Sequence, residues 1–354
     1  MNFDILLPII LFVVTFAAMF LGKKVDLKLR ATVEEREFKT RDTILLVAMI
    51  AVAVSIVVFV PSMAILALFL FSYSSLLFTV SYAFSDMRAK RVSFYCFSFG
   101  VASALAALAG FIGVIDTGLR FFGIIAFVCF TSLSLFALIY AKRRPSEKRK
   151  WYLAALSPAL FLLLFAFFSN TFVWFPYLLD VFGIIFALLI VLYLNTLFTW
   201  KTVFIFAGFL TGMDMVLVWL TGTMVQAAEH ISGLGLPVLV AFPTLPIISS
   251  TSGILIMRLG LGDFFFAGIL SSQTLKHFGK KTALVSLLII CFSFGLFELI
   301  LLNKSLSDAL PVPALPATLP ILLGWLPAVA LKIFAERKRT SKRTSDDSVQ
   351  MVAL

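Results

Sequence analysis

Long apolar runs separated by short charged loops dominate this chain. The runs fall at roughly 3–21, 43–60, 63–84, 94–115, 121–141, 152–175, 178–197, 200–222, 259–275, 282–302 and 314–335. Each is close to the ~20 residues that carry a helix across a bilayer. Strict two-residue alternation, the mark of a membrane barrel strand, is absent. The pattern predicts an all-α polytopic membrane protein with about 11 transmembrane helices, in a range of 9–11. Pro61-Ser62 and Pro176 split two stretches that are each too long to cross once.

The stretch 236–257, LPVLVAFPTLPIISSTSGILIM, is apolar but carries three prolines and a Ser/Thr/Gly cluster. A crossing here would invert everything downstream. The charges argue against that. Alternating the other spans places all the Lys and Arg residues except Arg120, Arg258 and Lys304 on one side. By the positive-inside rule that side is cytoplasmic. The N-terminus is then outside, the C-terminus inside, and 236–257 is re-entrant or interfacial. Non-helical backbone at that depth needs protein or a watery cavity around it, which marks the neighbourhood of a site. The first span reads as uncleaved, because Lys23 and Lys24 follow it without a small-residue cleavage site.

Composition agrees with the pattern. The chain of 354 residues is 61% hydrophobic and 13% charged, with mean hydropathy +1.08. The net charge of +11 belongs to the loops, so nucleic acid is not an expected partner. The lipid bilayer is. Cys96, Cys129 and Cys291 lie in apolar runs with no metal-ligand spacing, and neither a metal nor an organic cofactor is expected. Four regions follow: an accessory helix pair at 1–60, core helices at 61–199, a region of candidate chemistry at 200–335, and a polar tail at 336–354 expected to be disordered.

Charges inside a bilayer are costly, so intramembrane ionisable residues are where chemistry is sought. Asp4, Asp180 and Glu298 fall near predicted helix ends and are expected to reach head groups. Asp214 and Asp263 do not fit that explanation. Asp214 precedes the outer end of its span at Gly222 by about 12 Å, and Asp263 follows Arg258 by about 8 Å. The two helices run in opposite directions, so the carboxylates are expected at matching depth. Two carboxyls close together share one proton. The ionised one can take a proton from water as it attacks a peptide carbonyl. Its partner polarises that carbonyl and protonates the leaving amine.

Two further features lie nearby. Gly260-Leu261-Gly262-Asp263 removes side-chain bulk beside one aspartate. The stretch ALPVPALPATLP, with Pro313-Ala314-Leu315-Pro316, predicts an unwound helix start with free carbonyls. Either feature alone is also what ordinary helix packing or a loop-to-helix junction would produce.

Together, Met213-Asp214, Gly260-Leu261-Gly262-Asp263 and Pro313-Ala314-Leu315 resemble the YD, GxGD and PAL motifs of the presenilin and signal-peptide-peptidase family of intramembrane aspartyl proteases. The order and the placement on late helices match. RLGLGDFFF and ALPVPALP are similar to presenilin's KLGLGD and ALPALP stretches, with Arg258 in place of the lysine. The resemblance covers roughly 200–335. It implies a presenilin-like core in which Asp214 and Asp263 are catalytic. Gly260, Gly262, Pro313, Ala314, Leu315 and Pro316 would shape the substrate cleft. It also implies a peptide strand beside the substrate, for which Leu236, Val238 and Val240 are candidates. Two departures stand out: Met213 replaces the motif tyrosine, and seven predicted spans precede Asp214 where the family core has five.

With the N-terminus outside, the resemblance implies substrates that are type II transmembrane segments or signal-peptide remnants, in the plasma membrane of a prokaryote. Prepilin peptidases share a GxGD aspartate but lack a PAL element. The alternatives are a catalytically silent membrane scaffold and a proton- or cation-coupled transporter. Metalloprotease chemistry is disfavoured, since His230 and His277 fall on opposite predicted faces and no HExxH occurs.

Overall fold

The computed structural model describes residues 3–30, 37–86, 89–111, 117–143, 150–169, 171, 174–250, 253–303 and 316–352. The protein is mostly helical. In chain order the helices are α1 (Leu6–Arg30), α2 (Thr40–Val57), α3 (Ser62–Ala83), α4 (Ala89–Phe111), α5 (Thr117–Arg143), α6 (Trp151–Phe168), α7 (Leu179–Leu194), α8 (Trp200–Met215), α9 (Thr223–Ser232), α10 (Leu261–Phe278), α11 (Lys280–Leu302) and α12 (Thr318–Val352). A kink with extended backbone at Phe175 precedes α7, and a wide π-turn follows α8 at Val216–Leu220. Among the described residues, seven stretches are long and apolar enough to cross a membrane: Thr40–Val57, Ser62–Ala83, Gly123–Arg143, Trp151–Phe168, Trp200–Leu220, Lys280–Leu302 and Thr318–Glu336. Large apolar side chains such as Phe59, Leu68, Phe71, Leu331 and Phe334 are outward-facing. Water would penalise that surface and lipid does not. The chain is an integral membrane protein.

The chain divides into two compact units, residues 77–159 in one and 1–76 with 160–354 in the other. In the smaller unit α4 and α5 pack along their length. Val92, Cys96, Ala137 and Tyr152 form its core. The hydroxyls of Ser93 and Ser134 meet at 2.7 Å within it.

The larger unit is built around α10, which is buried on every side from Phe264 to Thr274. Its run Phe264–Leu270 is apolar all round and must be enclosed, and α1, α7, α8, α11 and α12 enclose the helix. Glycines set two of those approaches. A Cβ on Gly268 would lie 2.6 Å from Val191 of α7, and one on Gly324 would lie 2.7 Å from the Ile290 Cα of α11. Gly279, with φ +82°, makes the one-residue turn between α10 and α11. Helix α1 packs on α7, α10 and α11, and α2 on α8 and α9.

The stretch expected to be re-entrant is a hairpin. Strand β1 (Leu239–Pro243) pairs antiparallel with β4 (Ile256–Gly260), and two-residue strands β2 (Ser249–Ser250) and β3 (Gly253–Ile254) pair near its tip. Leu239 lies opposite Gly260, so the segment leaves beside where it entered.

Two expectations change. The tail does not separate from the last span: α12 runs on to Val352. No glycine or proline after Pro327 interrupts it. Asp4, Asp180 and Glu298 do not reach outward. They are 5%, 4% and 3% exposed. Asp4 accepts the Leu6, Leu7 and Leu245 amides, at 3.0, 3.4 and 2.8 Å. Asp180 accepts the Ala241 amide at 2.8 Å. A hairpin among apolar helices leaves amides that only nearby protein groups can satisfy, and these carboxylates do so.

Candidate active site

The buried stripe of α8 is Thr202, Val203, Phe206, Ala207, Leu210, Thr211 and Asp214. That three-to-four spacing puts Asp214 on the inward face. The π-turn beginning at Val216 then widens the helix directly after it, a device common at functional sites. Phe206 packs edge-on against Phe265 and tilted against Phe266, with centroids 5.6 and 6.2 Å apart. The phenylalanines that follow Asp263 therefore dock α10 onto α8 and set the two aspartates relative to one another.

Each aspartate is hydrogen-bonded to the start of a helix. Asp263 is in the first turn of α10, whose N-cap is Gly260. Its carboxylate accepts from the Gly260 amide, the backward half of a capping box. A Cβ on Gly260 would lie 3.2 Å from Asp263 Oδ2, whereas one on Gly262 would meet open space. Asp214 reaches across to α12. The Thr318 hydroxyl donates to Asp214 Oδ2 at 2.6 Å, and the Thr318 amide donates to the same carboxylate. Thr318 is the first residue of α12, two positions past the buried Pro316. Asp214 is buried and Asp263 partly exposed. The two carboxylates lie near enough to interact electrostatically.

Asp214, Asp263, Gly260, Gly262 and Pro316 are thus gathered where α8, α10 and α12 meet. Pro313, Ala314 and Leu315 lie outside the described residues. Met213 is half-buried beside Asp214.

The candidate substrate strand is part of the hairpin. Leu236 and Val238 precede β1, and Val240 lies within it. The Leu261 amide donates to the Val238 carbonyl at 3.2 Å, and the Thr244 amide to the Leu255 carbonyl at 3.2 Å. With the register, those bonds make 240–259 and 242–257 the hydrogen-bonded pairs. The backbone groups of Leu239 and Ala241 then face away from β4, onto α7. Asp180 takes the Ala241 amide there, and a Cβ on Gly183 would lie 3.1 Å from Val240. Both edges of β1 are therefore engaged. The backbone groups of Ile256 and Arg258 also point away from the ladder. Among the described residues they meet no backbone partner. The open edge belongs to β4, the strand that runs into Asp263. A cavity of about 260 Å³ opens on the hairpin face bearing Leu239, Ala241 and Arg258, against Trp174 and Phe175.

Pattern reading did not anticipate α9, Thr318 or the amide-capping carboxylates. Thr318 had a local signal, a hydroxyl residue at a helix start after a proline-rich run. Asp180 had none. Comparison of the chain with protein-family models and with curated proteins finds no match.

Proposed function

We propose that this protein is an intramembrane aspartyl protease of the presenilin-like kind, with Asp214 and Asp263 as its catalytic pair. One observation carries the reading. Two carboxylates from sequence-distant helices are gathered where α8, α10 and α12 meet, each oriented by the start of a separate helix. A carboxyl pair sharing one proton supplies both the base for water and the acid for the scissile carbonyl. Open space at Gly262 leaves room for a peptide backbone beside Asp263.

The open edge of β4 supports a mode of substrate binding. An unwound transmembrane segment added along Ile256 and Arg258 gains main-chain hydrogen bonds. Its next peptide bonds are then delivered toward Asp263. Pro316 and the preceding Pro313, Ala314 and Leu315 would form the opposite wall. Eleven crossings with the N-terminus outside, in a prokaryotic plasma membrane, favour type II segments or signal-peptide remnants.

The test is cleavage of a type II transmembrane peptide by the reconstituted protein beside Asp214→Ala and Asp263→Ala. Products that vanish in both folded variants support the proposal. Equal cleavage in all three, or none in any, counts against it. Cleavage confined to type I peptides overturns the orientation.

One observation favours the transporter reading. Both carboxylate oxygens of Glu298 are buried without a hydrogen-bond partner among the described residues, close to Asp4. Ion uptake into vesicles that disappears in Glu298→Gln would support it.

A further inference from the structure

A second cavity, of about 490 Å³, lies where α1, α10 and the start of α11 come together. Its size is within the ~300–1,000 Å³ usual for small-molecule sites. It belongs to the end of the molecule that carries Lys276, Lys280 and Lys281, away from Asp214 and Asp263.

Asn195, Ser272, Lys276 and Lys280 bring side-chain donors to it. Asn195 and Ser272 both line it and are each 3% exposed. The Asn195 amide orientation follows from its neighbour, because Gln273 Nε2 donates to Asn195 Oδ1 at 3.0 Å. Nδ2 is then the other end, 3.7 Å from where a Gly22 Cβ would be, with no acceptor among the described residues. The Ser272 hydroxyl has no partner either. Its neighbour Thr274 instead bonds back to the Leu270 carbonyl at 2.7 Å.

The start of α11 opens on the same space. The amides of its first turn lack helical acceptors, and its N-cap, Gly279, has no side chain to offer. A helix N-terminus with buried donors beside it is suited to an anion. Among the described lining residues the one carboxylate is Asp26, matched by Lys276 at 3.5 Å. That leaves the charge of Lys280, whose ammonium lies 5.9 Å from the Phe20 ring centre. Met19 and Leu275 make the rest of the wall apolar.

We propose that this cavity binds the phosphate of an anionic phospholipid head group. Basic pockets between membrane helices bind such groups, and the apolar wall suits the glycerol and upper acyl chain. The site stands independently of proteolysis.

Native mass spectrometry of the full-length protein in uncharged detergent tests it, with phosphatidylglycerol, phosphatidylcholine and inorganic phosphate as separate probes. One phosphatidylglycerol is expected per chain, with neither phosphatidylcholine nor phosphate retained. Lys280→Gln should weaken retention about fivefold. Ser272→Ala should also weaken it, and that variant guards against a folding defect because it removes only an unpartnered hydroxyl. Lys281→Gln changes the same charge outside the cavity and should leave retention unchanged. Equal retention of the two lipids, or equal behaviour of the two lysine variants, overturns the proposal. Phosphate held alone with the same Lys280 dependence overturns the lipid assignment in favour of a soluble anion.

Discussion

The hydroxyl of Thr318 donates to Oδ2 of Asp214 at 2.6 Å across 104 residues of sequence. That bond joins α8 to the start of α12 and fixes the direction of a buried carboxylate. A bond to a charged acceptor is worth roughly 1.5–3 kcal/mol. Thr318→Val keeps the shape and removes the donor. It should reduce cleavage of the reconstituted test peptide about tenfold or more, whereas Thr318→Ser should stay close to the parent. Equal loss in both variants would show that the methyl contact, not the hydroxyl, matters.

A pair sharing one proton works only in its singly protonated form. Activity against pH should therefore be bell-shaped, falling on both sides. Asp263→Asn cannot share the proton and should lower the rate by about 10²–10⁴-fold across the whole range. A monophasic profile in the parent enzyme would argue for a single titrating group.

The free edge of β4 makes a distinction by residue parity. The Arg258 amide points away from β1, so Arg258→Pro should fold and keep its melting behaviour. It should nevertheless lose cleavage relative to Arg258→Ala. Leu259→Pro removes a ladder bond and should destabilise the protein itself. Full activity in Arg258→Pro would mean that substrate does not pair with this edge.

Asp180 should act on stability. Asp180→Ala leaves the Ala241 amide buried without an acceptor, a cost of about 1–3 kcal/mol. Thermal unfolding in detergent should show the loss. Asp180→Asn retains an acceptor oxygen and should recover much of it.

The glycines divide into packing and access roles. Gly324→Ala presses a methyl onto the backbone of α11 and should destabilise by about 1–3 kcal/mol. Gly262→Ala meets no atom, so the fold should be unaffected while cleavage falls. Thermal unfolding and peptide cleavage measured on both variants separate the roles.

The apolar runs alone determined the helical membrane character, because the length of a hydrophobic stretch is a local property. Both proline breaks lie between helices, since a missing amide acts where it stands. The non-helical nature of 236–257 was also legible, from its prolines and the charge pattern of distant loops. The alignment of Asp214 and Asp263 was inferred from depth alone, and their helix-start partners were not legible. Whether Asp180 meets a head group or the Ala241 amide depends on a contact 61 residues away. Which strand keeps an open edge depends on the parity of a ladder that a one-residue slip would reverse. Those questions are decided by the packing of α7 and α12 against α10, because spans of similar hydrophobicity carry little record of which neighbours they meet.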